Sequence, residues 1–179
     1  DKDFKFNKTV LIKNNNWVDI YYARNNNLKN FHYKNSNQLI YKSKKISKYK
    51  TSNYILFEKN NVITSDEKGN IIIFSIKNDE LKAKFNFYKK RYKQIPKILN
   101  LIAEKNIIYI SDNLGYVYAL NYKINKVIWA KNYKIPFRSN IKIVKNKLIL
   151  ANQNNSLFFI NKSNGEILRT VPTEENIIK

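Results

Sequence analysis

The strongest constraint on this chain is a phrase that returns. Residues 112–133, DNLGYVYALNYKINKVIWAKNY, read as a turn, a strand, a second turn and another strand. Asp112, Asn113, Leu114 and Gly115 supply turn chemistry: the Asp accepts nearby backbone N–H groups and the Gly tolerates positive φ. Residues 116–122 then alternate, with Val117, Ala119 and Asn121 on one face and Tyr116, Tyr118, Leu120 and Tyr122 on the other. Asn125 marks the tip of the second turn and Val127 opens the next strand. At an offset of 46 residues, Gly115 falls on Gly69, Ala119 on Ile73, Asn125 on Asp79 and Val127 on Leu81. At an offset of 40 in the other direction, the same four positions fall on Asn155, Phe159, Gly165 and Ile167. A weaker match at 42 reaches back to Asn27, Phe31, Asn37 and Leu39.

Strand-rich repeats of roughly 40–45 residues point to a propeller or a related array. The expected fold is all-β, a partial β-propeller of about four four-stranded blades in one incomplete domain. The blades are expected at residues 9–42, 53–87, 97–133 and 141–171, with residues 17–24 as a strand of the first. The apolar columns Ile73/Ala119/Phe159 and Leu81/Val127/Ile167 carry that expectation, and the strand over 116–122 should lie inside a blade. A single four-stranded blade cannot cover its own two faces, so such units must bury one another. Residues 172–179 close no fold and read as a link to a further unit. With Asp1 at its start, the sequence reads as a mature or truncated fragment.

The net charge is +21, which ordinarily raises nucleic acid or an anionic membrane as a partner. Composition argues for another origin. The chain holds 30 Lys, 30 Asn, 26 Ile, 13 Tyr and 10 Phe, against 3 Gly and 3 Pro. The favoured types have A/T-rich codons, so a gene of low G+C content produces this balance without selection for a basic surface. The lysines are scattered through all four units. Aromatics interleaved with lysine would also suit single-stranded nucleic acid, but tyrosine fits half-buried strand positions by its β-propensity. No nucleic-acid partner is expected. One stretch is denser: residues 88–97, YKKRYKQIPK, read either as a solvated connection between units or as a loop that faces an anion or a partner.

Catalytic chemistry is sparse. Cysteine is absent, which removes disulfides and thiolate metal sites. His32 is the only histidine, so imidazole clusters and His-based triads cannot be built. Asp66 and Asp112 each stand three residues before a Gly, and a turn role accounts for both. No phosphate loop or nucleophile elbow appears. The expectation is a non-enzyme with no catalytic residues, no cofactor and no metal.

Ala119 to Trp129, ALNYKINKVIW, resembles the repeat motif of the pyrroloquinoline-quinone-type β-propellers. That motif begins with Ala, has Asp third, Gly and Lys seventh and eighth, and ends in Trp. Ala119, Lys126 and Trp129 match, while Asn121 stands for the Asp and Asn125 for the Gly. Another unit keeps Gly165 and Glu166 but has Arg169 at the Trp place, and another has Asp79, Glu80 and then Ala83. Gly69, Gly115, Ala119, Trp129 and Gly165 are thus the structural residues of the repeat, and the resemblance implies that the Trp docks onto the neighbouring blade. Within these propellers the chain is most similar to the BamB-like assembly factors, lipoproteins of the outer-membrane protein assembly (BAM) machinery. The stretch IPFRSNIKIVKNKLILANQNNSLFFI carries that likeness best. It implies a periplasmic, outer-membrane-associated scaffold, held to the membrane only through an upstream lipid anchor. Phe137 and Arg138 would bind the β-barrel insertase, BamA, and unfolded outer-membrane proteins are further implied partners. A propeller quinoprotein dehydrogenase and a basic nucleic-acid-binding repeat protein remain the alternatives.

Overall fold

The computed structural model describes residues 16–20, 39, 41–88 and 90–173. Twelve strands form three four-stranded antiparallel sheets, and each sheet is an up-and-down meander of consecutive strands. The first comprises β1 (Leu56–Glu58), β2 (Asn61–Ser65), β3 (Asn70–Ser75) and β4 (Glu80–Asn86). The second comprises β5 (Leu99–Glu104), β6 (Ile107–Asp112), β7 (Tyr116–Asn121) and β8 (Lys126–Asn132). The third comprises β9 (Lys142–Val144), β10 (Lys147–Ala151), β11 (Ser156–Asn161) and β12 (Ile167–Pro172). The only helical element among the described residues is a single 3-10 turn, Lys90–Tyr92. The unit expected over residues 9–42 lies almost wholly outside the described residues, as does His32.

The backbone repeats at the offsets read from the sequence. Gly69, Gly115 and Asn155 have φ of 80°, 85° and 53°, and Asp79, Asn125 and Gly165 have φ of 53°, 52° and 73°. Both turns therefore need left-handed residues, which Gly, Asn and Asp supply at least strain. The first hairpin of each sheet turns on a Lys–Asn pair: Lys59–Asn60, Lys105–Asn106 and Lys145–Asn146, with left-handed φ at all but the last.

A β-bulge recurs as well. Pairing between the third and fourth strands slips between Ile73 and Phe74, between Ala119 and Leu120, and between Phe159 and Ile160. The bulge explains a conflict in the side-chain pattern. Val127 and Trp129 are two apart and would share a face on a regular strand. With Ile128 extruded, Val127 pairs with Leu120 and Trp129 with Ala119, so they point to opposite faces.

Those two faces of the central sheet serve two seams. Leu101, Ala103, Ile108, Ile110, Tyr118 and Leu120 pack against Leu56, Ile63, Ile71 and Ile73 of the first sheet. Ile102, Tyr109, Val117, Ala119 and Trp129 pack against Ile141, Ile143, Leu148, Leu150 and Ile160 of the third. Strand β7 is thus buried on both sides, as a strand inside a blade must be. A polar strut crosses each seam at equivalent places. The Tyr122 hydroxyl donates to Glu58 at 2.5 Å, and Lys162 Nζ donates to Glu104 at 2.5 Å.

Leu81 and Ile167 are each 50% exposed, because they lie on the outermost strand of their sheets, where period-two alternation no longer meets a neighbour on both faces. Of the strand expected over residues 17–24, the structure describes residues 17–20, which lie against the three sheets. Trp17 exchanges both backbone hydrogen bonds with Phe57 of β1 at 2.6 Å, the Val18 carbonyl accepts from Ala103 N of β5 at 2.9 Å, and Asp19 pairs with Lys142 of β9 at 2.8 Å. This segment touches the first strand of all three sheets, and its backbone satisfies edge groups that β1 and β5 would otherwise leave open.

Candidate functional site

In each meander, the turn between second and third strands and the connection to the next sheet emerge at the same end. This loop face carries both sequence features singled out for binding, the basic stretch and the Phe137–Arg138 step. Its framework is a cap used three times. Asp66 Oδ1 accepts from the N–H groups of Lys68 and Asn70 at 3.0 and 3.1 Å. Asp112 Oδ1 accepts from Leu114 and Tyr116 at 2.9 and 2.7 Å. Asn152 Oδ1 accepts from Asn154 and Ser156 at 3.0 Å each. Cap residues with a short side-chain oxygen fit here because they replace missing backbone partners in the turn.

The second carboxylate oxygens are also engaged. Asp66 Oδ2 accepts from Ser47 Oγ and Asn70 Nδ2 at 2.8 Å each, and Asp112 Oδ2 accepts from the Tyr88 hydroxyl at 2.6 Å. Burial pushes the Asp112 carboxyl above its ordinary range, against the opposing pull of the hydrogen bonds it accepts from Tyr88 and the turn backbone. Burial likewise raises the Tyr88 phenol far above the usual tyrosine value, with Tyr118 and Asp112 adding to the shift.

The connection into each sheet hooks onto this frame. Glu67 N donates to Lys50 O at 2.9 Å, and Gln153 N donates to Pro136 O at 2.8 Å. Asn113 Nδ2 donates to Pro96 O at 3.1 Å and its Oδ1 accepts from Ile98 N at 3.0 Å. Thr51 and Phe137 each form an isolated bridge, to Asp66 and Asn152. Position 97 occupies the same place at the repeat offsets.

The structure separates the two residues expected to bind a partner. Phe137 is 4% exposed and packs edge-on against Tyr133 and Phe158, at 5.6 and 5.8 Å between ring centroids. Its ring belongs to the seam with the third sheet, so it is unavailable as an apolar anchor: Pro136 and the bridge to Asn152 turn it inward. Arg138 is exposed, and its backbone N is held to Ala151 O at 3.1 Å. Gly69 and Gly115 occupy their turns as described, Ala119 is fully buried, and Trp129 lies over Gly165. Among the described residues no group of three or more His, Cys, Asp and Glu is placed to hold a metal ion.

Sequence reasoning missed three contributors to this face, Lys48, Lys68 and Lys84, which line one cleft together with the basic stretch. It also missed the burial of Lys97. The repeat offset held that signal, since position 97 aligns with Phe137.

Among solved structures, three likenesses bear on these sheets. BamB from Moraxella catarrhalis aligns with a TM-score of 0.54 at 13% identity, over 67% of this chain and 34% of BamB. The WD40 domain of Toxoplasma gondii coronin aligns with a TM-score of 0.54 at 12% identity, over 66% of this chain and 33% of that one. The fold is a β-propeller. A quinohemoprotein alcohol dehydrogenase from Pseudomonas putida HK5 aligns nearly as well, with a TM-score of 0.52 at 12% identity, over 64% of this chain and 19% of the enzyme. The chain spans about a third or less of the length of each of these proteins. At such identities the likeness carries the blade architecture and stops there. No family model and no curated protein matches the sequence.

Proposed function

We propose that this chain is part of a non-catalytic propeller scaffold of the BamB-like kind, which works in the periplasm at the outer membrane and binds BamA through its loop face. One observation carries the non-catalytic part. The carboxylates best placed for chemistry, Asp66 and Asp112, make the same two cap bonds that the neutral amide of Asn152 makes one repeat further on. The position serves the turn and needs no charge. The binding part rests on Arg138, an exposed five-donor fork on a backbone already pinned to β10, so that little order is lost on binding.

The test is Arg138→Glu in the complete protein, read by co-purification with BamA and by the thermal midpoint. Loss of BamA with an unchanged midpoint supports the reading. Retained BamA, or calcium-dependent binding of pyrroloquinoline quinone by the wild-type protein, overturns it.

A further inference from the structure

Beside the β2–β3 turn lies a cleft of about 610 Å³ lined by Lys48, Lys68, Lys84, Lys90, Lys93 and Lys97. Its floor comes from the first sheet: Lys68 stands on the capped turn, and Lys84 on β4. Its wall comes from Tyr88, Lys90, Lys93, Gln94 and Lys97 of the connection to the second sheet. Tyr49, Asn70 and Asn86 complete the lining, which contains no carboxylate. Among the described residues none of the six ammonium groups forms an ion pair. Six like charges around one hollow repel one another, which a solvated surface would avoid by spreading them.

Lys97 sharpens the point. It is 6% exposed and sits where the next repeat buries Phe137. A core position has therefore been given to a cation, held by a hydrogen bond from Nζ to Tyr92 O and 5.2 Å from the Tyr88 ring centroid. Burial and the nearby Lys68 both oppose its charge and lower its pKa, while Asp112 pulls the other way. An anion would relieve that opposition.

The chemistry of the lining narrows the ligand. Lysines are compact point charges suited to phosphate oxygens, and several of them around one hollow match a group that carries more than one negative charge better than a single carboxylate. Both tyrosines are already occupied, which disfavours base stacking. Tyr49 has Lys48 and Lys68 within 5.5 and 5.8 Å of its ring centroid. Tyr88 covers Gly69 so closely that a Cβ there would lie 2.4 Å from its ring. We propose that this cleft is a binding site for a multiply charged phosphate group, presented by a soluble polyphosphorylated compound or by a phosphomonoester lipid headgroup.

The probes are inorganic tripolyphosphate, by calorimetry, and phosphatidylcholine vesicles doped with phosphatidic acid, by flotation, each with the complete protein. Lys84 and Lys93 are exposed, so the pair Lys84→Glu and Lys93→Glu should leave the fold intact. Lys126→Glu with Lys131→Glu, exposed on β8, changes the net charge equally and serves as the control. The cleft pair should weaken binding at least about tenfold and the control pair less than about twofold. Selective loss with tripolyphosphate assigns a soluble ligand, and selective loss with vesicles alone assigns a headgroup. Equal losses in the two pairs, or no binding of either probe by the wild type, overturn the proposal. So does a cleft-dependent single-stranded oligonucleotide that binds more tightly than tripolyphosphate.

Discussion

The indole of Trp129 rests on the bare α-carbon of Gly165 in the next repeat. A Cβ on Gly165 would come within 2.6 Å of the ring, and Trp129 Nε1 donates to Lys162 O at 2.9 Å. Tyr133 closes the same turn, its hydroxyl donating to Gly165 O at 2.6 Å. One glycine thus serves three demands: a left-handed φ, a flat seat for an aromatic, and an accepting carbonyl. Trp129→Ala should destabilise the protein by about 3–5 kcal/mol, as loss of other buried aromatics does. Gly165→Ala should cost about 1–3 kcal/mol through strain and overlap with the ring. The double variant should lose less than the sum, because removing the indole removes the overlap. Denaturant titration of the four proteins checks this, and strict additivity would mean the two residues do not meet.

At the loop-face cap, the neutral amide of Asn152 makes the two turn bonds that the Asp112 carboxylate makes one repeat earlier. Asp112→Asn keeps the two bonds from Leu114 and Tyr116, relieves burial of a carboxylate, and reverses the bond to Tyr88, whose hydroxyl must then accept from the amide. It should change stability by less than about 1 kcal/mol, while Asp112→Ala should cost about 1–2 kcal/mol. A large loss in Asp112→Asn would give the carboxylate a role beyond the turn.

Buried phenols make the fold sensitive to alkali. Burial raises Tyr133 to about 12, and raises Tyr118 and Tyr122 further, Tyr122 also through its bond to Glu58. In the unfolded chain a tyrosine ionises near pH 10. Above that pH the unfolded state releases protons the folded state still holds, so stability is whole below about pH 10 and is lost as pH rises toward about 12. Unfolding titrations across this window should show the decline, and Tyr133→Phe should make it shallower. An unchanged slope would mean Tyr133 ionises freely in the native state.

The sequence carried the repeat because its turns demand rare backbone: left-handed residues at Gly69/Gly115/Asn155 and Asp79/Asn125/Gly165 cannot be hidden by substitution. The depth of each strand within its sheet was not legible. Alternation gives the face of Leu81 and Ile167 but not the absence of a neighbour beyond them. The bulge that sends Val127 and Trp129 to opposite sides has no local signature. Nor has the path of residues 16–20, whose partners Phe57, Ala103 and Lys142 are distant in sequence. At the candidate site, the blade bounds place Arg138 between two units, but the burial of Phe137 depends on Tyr133 and Phe158 meeting it in space.

The binding role is tested most directly by a photoreactive amino acid placed at position 138 of the complete protein in living cells, with position 126 on β8 as the control. The expected result is a crosslink to BamA from position 138 and none from position 126. No adduct at 138, or the same adducts from both positions, would contradict the assignment of the loop face as the partner surface.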